Sequence, residues 1–217
     1  MIGFLHTAEV HTATFNRLLD QAAPGTPSIH VVDASLLADA QARGGVDAEL
    51  QNRITARLRE VAATAEVVVC TCSTIGGSAE SLAGDIGVPV VRVDRPMAER
   101  AVAMGPRIAV VAALVSTIGP TTELLRAVAA AADCSIDLVE VVCEDAWSMF
   151  QAGETDGYLA AIAQTVDALD VPVDVIVLAQ ASMAGAADRV RTSIPILSSP
   201  RLAVETAVSI AAALATE

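Results

Sequence analysis

The sequence predicts an α/β protein of two related lobes, each a parallel sheet flanked by helices, with an active-site cleft between them. Three observations lead there: short apolar runs alternate with longer helix-like stretches, the chain repeats itself, and its composition is aliphatic rather than aromatic. Strands buried on both faces read as continuous Val/Ile runs, and their alternation with helices points to parallel sheets covered by helices. Of the 217 residues, 53% are hydrophobic and 2% aromatic, so a sizeable core must come from Ala, Val, Leu and Ile. Such a chain is not disordered, and its length suits one large domain or two small lobes.

In chain order, "IGFLH" opens as a strand and runs into "TAEVHTATFNRLL". "SIHVVDA" is the next strand, and "AELQNRITARLREVAATA" has the length and composition of a helix. "AEVVVCT" then leads into "TIGGSAESLAGDI", read as a helix. "GVPVVRV" is stopped by the proline of "DRPM", and "RIAVVAAL" leads into "STIGPTTELL". "SIDLVEVVC" follows, then the helix-like "DGYLAAIAQTVDALD", and the strands "VDVIVLA" and "SIPILSS" precede a last Ala-rich helix.

The repeat is the stronger signal. "VPVVRVDRPMAERAV" (88–102) lies without a gap on "IPILSSPRLAVETAV" (194–208), each a strand, a proline stop and a helix. Upstream, "CSTIGGSAE" (72–80) lies on "QASMAGAAD" (180–188), and the N-terminal "IGFLHTAEVHTATFNRLL" loosely resembles "IAVVAALVSTIGPTTELL". This divides the chain into a first lobe, 1–103 plus 197–217 with the last helix packing back, and a second lobe, 104–196.

The net charge is −13 and every basic residue is arginine. Nucleic acids and anionic membranes need basic patches, so neither is expected as a partner. Without lysine, Schiff-base and pyridoxal-phosphate chemistry are excluded. No stretch reaches the roughly 18 apolar residues of a membrane span, and no basic leader precedes an apolar run. The four cysteines do not form a disulfide scaffold, which fits a soluble cytoplasmic protein with reduced thiols. Apolar faces in "AVSIAAALATE" leave a homodimer open.

Ligands of parallel α/β sheets sit at the carboxyl ends of strands. The turns there carry His6 and Thr7, then Cys72, Ser73 and Thr74, then Ser116 and Thr117, and finally Gln180, Ala181 and Ser182. A thiol has a reference pKa of about 8.5 and becomes a base or nucleophile when helix N-terminal dipoles or hydrogen-bond donors lower it. Cys72 precedes a helix, whose Ser73, Thr74 and Gly76-Gly77 backbone can also hold a carboxylate. Cys70, inside a strand, is read as structural. His6 should face the cleft and can act as acid or base; the alternative reading is a helix cap at Thr12 or Thr7 with His11 exposed. Ser116, Thr117 and Ser182 offer hydroxyls to a small acid, and "STIGPTTELL" is expected to use at least one of its hydroxyls as an N-cap. "CEDAWSMFQAGETDGY" is either a flap or a short packed helix. Among the arginines, Arg95 is the best candidate for a cleft edge. No nucleotide-phosphate loop is present, and His6, His11, Cys70 and Cys72 do not have zinc-site spacing, so neither cofactor nor metal is expected.

The whole arrangement resembles the aspartate/glutamate racemase superfamily, which includes hydantoin racemases, maleate isomerases and arylmalonate decarboxylases. Cys72-Ser73-Thr74 resembles the family's Cys-Asn-Thr turn, and Leu178-Ala179-Gln180-Ala181-Ser182 resembles its Leu-Gly-Cys-Ala/Thr turn. The resemblance implies an isomerase, an amino-acid racemase or a cis–trans isomerase, acting without a cofactor on a small carboxylate. It assigns a catalytic cysteine to each lobe, and the second position holds Gln180, which cannot exchange a proton at ordinary pH. Cys134 and Cys143 do not fall in the matching turn. The expectation is therefore a lone thiol, Cys72, with His6 or water opposite. A decarboxylase of a malonate-like acid and a non-catalytic carboxylate sensor are the alternatives.

Overall fold

The computed structural model describes residues 1–216, which form two compact units, Met1–Pro96 with the chain from Pro200 onward, and Met97–Ser199. In the first unit β1 (Ile2–His6) is followed by α1 (Val10–Ala22), β2 (Ser28–Val32), α2 (Ala34–Arg43) and α3 (Ala48–Ala62). Then come β3 (Val67–Cys70), α4 (Ser73–Ser81), α5 (Ala83–Ile86) and β4 (Val90–Arg92). α6 (Arg95–Met104) leads to β5 (Arg107–Ala112), α7 (Val115–Ala131), β6 (Asp137–Val142), α8 (Ala146–Gln151) and α9 (Thr155–Asp167). β7 (Val175–Leu178), a 3-10 helix (Ala181–Ala186), β8 (Ile196–Ser198) and α10 (Ser199–Leu214) complete the chain.

The two sheets have the same plan. Their strand orders are β2-β1-β3-β4 and β6-β5-β7-β8, and every pair is parallel. The predicted α/β class, with one parallel sheet flanked by helices in each lobe, is thus observed, and the repeated segments become β4 with α6 and β8 with α10. In each sheet the two central strands are buried along their length, Arg107 at the start of β5 apart, as helices on both faces require.

Local signals set the elements. Asp33 and Asp47 cap α2 and α3 by accepting hydrogen bonds from the backbone N–H of Ser35 (3.1 Å) and Leu50 (2.8 Å). Gly44, at φ +71°, ends α2 in the left-handed region that a side chain disfavours. Gly3 lets α3 approach β1, because a Cβ there would collide with Val61 and Ala65. One face of the first sheet packs Leu5, Val68, Cys70 and Cys72 against Leu50, Ile54 and Leu58 of α3 and Ile75 of α4. In the second unit Val111, Ile176 and Leu178 pack against Tyr158, Ile162 and Val166 of α9.

Two local expectations change. The repeat of α4 in the second unit is the six-residue 3-10 helix, a tight form that suits short pieces before a turn. α7 begins at Val115 after Leu114, and among the described residues no side chain caps it. Ser116 and Thr117 lie inside its first turn, and Ser116 Oγ is buried without a hydrogen-bond partner there. No described helix is long and apolar enough to cross a membrane.

Candidate active site

Each sheet places its sequence-predicted residues at the carboxyl ends of its two central, mutually paired strands. In the first unit β1 delivers His6 and Thr7, and β3 delivers Cys72, Ser73 and Thr74. Cys72 occupies the N-cap position of α4 in an extended conformation and is 8% exposed. The backbone N–H groups of the following turn point towards this end of the helix, where negative charge is favoured. Ser73 is buried and Thr74 half-buried in that same turn. Cys70, two residues earlier, is fully buried, and burial pushes its thiol up to about 12, so it stays protonated.

The first turn of α4 lies against a buried ion pair. Arg92 donates from Nε and Nη2 to the two carboxylate oxygens of Asp94 at 2.6 and 3.1 Å. A Cβ on Gly76 would stand 3.0 Å from Arg92 Cγ, and one on Gly77 3.3 Å from Nη1. The glycines of "STIGG" thus make room for the guanidinium. Arg95, the arginine favoured for a cleft edge, is engaged by both carboxylate oxygens of Glu80.

His6 is fully buried, and both ring nitrogens are hydrogen-bonded, Nδ1 with Thr71 Oγ1 (2.9 Å) and Nε2 with His30 Nδ1 (2.8 Å). Burial, with His30 and His11 nearby, lowers its pKa to about 3. A ring so placed is neutral at ordinary pH. His11 is half-buried rather than exposed, and burial lowers its pKa to about 4. Among the described residues no three His, Cys, Asp or Glu side chains are grouped to hold a metal ion.

In the second unit the turn after β5 carries Ser116 and Thr117, and the turn after β7 carries Gln180, Ala181 and Ser182. Gln180 joins the two turns. Its Oε1 accepts hydrogen bonds from the backbone N–H of Ala113 (2.6 Å) and Leu114 (3.2 Å). Ser182 Oγ shares a 2.7 Å hydrogen bond with the hydroxyl of Tyr158, whose pKa burial raises. Ala181 and Thr117 are buried. In the Trp-containing segment, Trp147 stacks on Phe150, and Phe150 packs on Tyr158 with ring centres 5.2 Å apart.

Sequence reasoning missed Thr71, His30, Asn16 and Tyr158 as partners of the candidate residues. A polar residue in the middle of the apolar run "SIHVV" is the one signal that could have found His30.

A family model described as Asp/Glu/Hydantoin racemase matches residues 2–207. No curated protein matches the sequence. Among solved structures, glutamate racemase from Bacillus anthracis is similar at 16% identity, with 100% of this chain and 82% of that one covered and a TM-score of 0.69. Aspartate racemase from Picrophilus torridus is 14% identical, covering 97% and 94%, with a TM-score of 0.70. Allantoin racemase from Pseudomonas fluorescens is 17% identical, covering 98% and 91%, with a TM-score of 0.66. At these identities the structural likeness concerns the fold.

Proposed function

The chain belongs to the Asp/Glu/Hydantoin racemase family, and on that premise we propose that it is a racemase-type isomerase working with one thiol, Cys72. The substrate is a small carboxylate or amino acid, and the chemistry needs no cofactor. Cys72 takes the α-proton from one face, and the N–H groups of the first turn of α4 stabilise the developing enediolate. The proton for the other face comes from water or a water-linked hydroxyl, because an amide exchanges no proton.

The observation that carries this reading is the contrast between the two matching turns. One ends in a thiol at a helix N-terminus, while in the other Gln180 Oε1 is tied down by two backbone N–H groups. Arg92 and Arg95 are both engaged by carboxylates. A substrate held through hydroxyls and N–H groups fits this better than one needing a cation for a second carboxylate.

The same tied-down amide favours a second reading, a carboxylate-binding protein without turnover. Polarimetry over a panel of amino acids, hydantoins and small diacids separates the two. Gln180→Cys restores a thiol at the second position, and the proposal expects it to raise racemisation of a weakly handled amino acid. A folded Gln180→Cys protein that gains nothing, with wild-type binding indifferent to Cys72→Ala, overturns the enzyme reading in favour of the binder.

A further inference from the structure

All three histidines of the chain gather on the face of the first sheet that carries α1. His6 and His30 stack with ring centres 5.1 Å apart, and Phe4 lies parallel to both. Hydrogen bonds join them in a row, from Thr71 Oγ1 to His6 Nδ1 (2.9 Å), from His6 Nε2 to His30 Nδ1 (2.8 Å), and from His30 Nε2 to Asn16 Oδ1 (2.9 Å). Ser28 Oγ lies 3.2 Å from the same His30 nitrogen. The row crosses three strands, β3, β1 and β2. It starts at the buried carboxyl end of β3, beside Cys72 in the chain, and ends at exposed Asn16 and at Ser28, the first residue of β2.

Proton counting makes this row unusual. The Thr71 hydroxyl donates to Leu5 O at 3.1 Å, so the Thr71 oxygen takes its proton from His6 Nδ1. At the other end a carbonyl oxygen accepts from His30 Nε2. Two neutral rings with those protons leave the central 2.8 Å contact between two lone pairs. One end must yield. If the Thr71 hydroxyl turns to His6 Nδ1, both rings carry Nε2–H. If the Asn16 amide turns its NH2 to His30, both carry Nδ1–H. The row thus has two proton orders, each costing a rearrangement at one end; at the Asn16 end the Ser28 hydroxyl, which donates to Asn16 Oδ1 at 2.9 Å, must turn with the amide.

We propose that Thr71, His6 and His30 form a proton relay between the carboxyl end of β3 and solvent at Asn16 and Ser28. In one passage His30 Nε2 takes a proton from outside and releases Nδ1–H to His6 Nε2. His6 releases Nδ1–H to Thr71 Oγ1, whose own hydroxyl proton turns from Leu5 O and passes to a water molecule or a substrate carbanion at the strand end. One proton enters, one leaves, and no charge remains on a ring. The burial that keeps both rings neutral suits transfer by tautomer exchange. Run in reverse, the same steps carry a proton out to water, and that use rests on the lone-thiol reading, since a single base must shed its abstracted proton; the relay itself does not.

The test is exchange of the His6 ring N–H with deuterated water, followed by NMR on histidine-labelled protein. The expected result is exchange at least a hundredfold faster than that of the backbone amide of Val68, and at least a tenfold slowing in His30→Phe. His30→Gln preserves polarity without passing protons and should slow it equally, which covers a poorly folded Phe variant. Exchange no faster than the Val68 amide, or unchanged in a folded His30 variant, overturns the relay. A protein that racemises nothing leaves this measurement interpretable and refutes only the proposed function.

Discussion

Gln180→Met removes an amide oxygen from a buried position while keeping the length of the side chain. The Ala113 N–H, in a buried residue, then loses its 2.6 Å acceptor, and the half-buried Leu114 N–H loses its 3.2 Å one. A buried donor left unsatisfied costs about 1–3 kcal/mol, while the Leu114 donor can turn to water. For a chain of this size that corresponds to a fall of about 2–12 °C in melting temperature. Gln180→Glu keeps an acceptor at the same place and should lose much less. Thermal unfolding, with hydrogen exchange of the Ala113 and Leu114 amides, reads both. If Gln180→Met melts with the wild type and both amides keep their protection, Gln180 does not hold the β5–α7 turn and the reasoning fails.

Other outcomes follow from the same geometry. Asp94→Ala removes the carboxylate that accepts from Arg92 Nε and Nη2 inside the protein and should cost about 3–5 kcal/mol by urea unfolding; a loss below 1 kcal/mol contradicts a buried pair. Gly76→Ala presses a methyl to 3.0 Å from Arg92 and should cost about 1–3 kcal/mol, with unchanged stability showing that Arg92 gives way freely. Iodoacetamide should modify exposed Cys134 and leave Cys70 unmodified in the folded protein, because burial holds the Cys70 thiol at about 12; labelling of Cys70 before unfolding would refute that burial. His6 and His11 bind protons in the unfolded chain near 6.5 but, when folded, at about 3 and about 4. The unfolded state therefore holds more protons between those values, and stability should fall as pH drops from 6.5 towards 4.5, by up to about 1.4 kcal/mol per pH unit for each ring. A flat urea midpoint over that window would show that the rings are accessible.

Much of the fold was legible because its signals are local. The Val/Ile runs became strands, and the gapless match of 88–102 on 194–208 became β4–α6 and β8–α10. The candidate turns could also be placed, since the carboxyl end of a strand can be read from where its apolar run stops. What lay hidden depends on pairing between distant positions. Thr71 meets His6 across 65 residues, and Gln180 meets Ala113 across 67. Arg92 and Asp94 lie two residues apart, but their burial as an ion pair comes from the packing at the end of β4 and is not written in the local sequence. The hydroxyls of "STIGPTTELL" suggested a cap, but the helix starts one residue before Ser116 and has no use for them there.

Proton movement on carbon by Cys72 is read most directly as solvent deuterium entering the α-position of candidate amino acids and hydantoins, followed by proton NMR for wild type and Cys72→Ala. Wash-in is expected with at least one substrate for the wild type, and is lost in a Cys72→Ala protein that still folds and binds. Wash-in at an undiminished rate in Cys72→Ala would contradict proton transfer by Cys72.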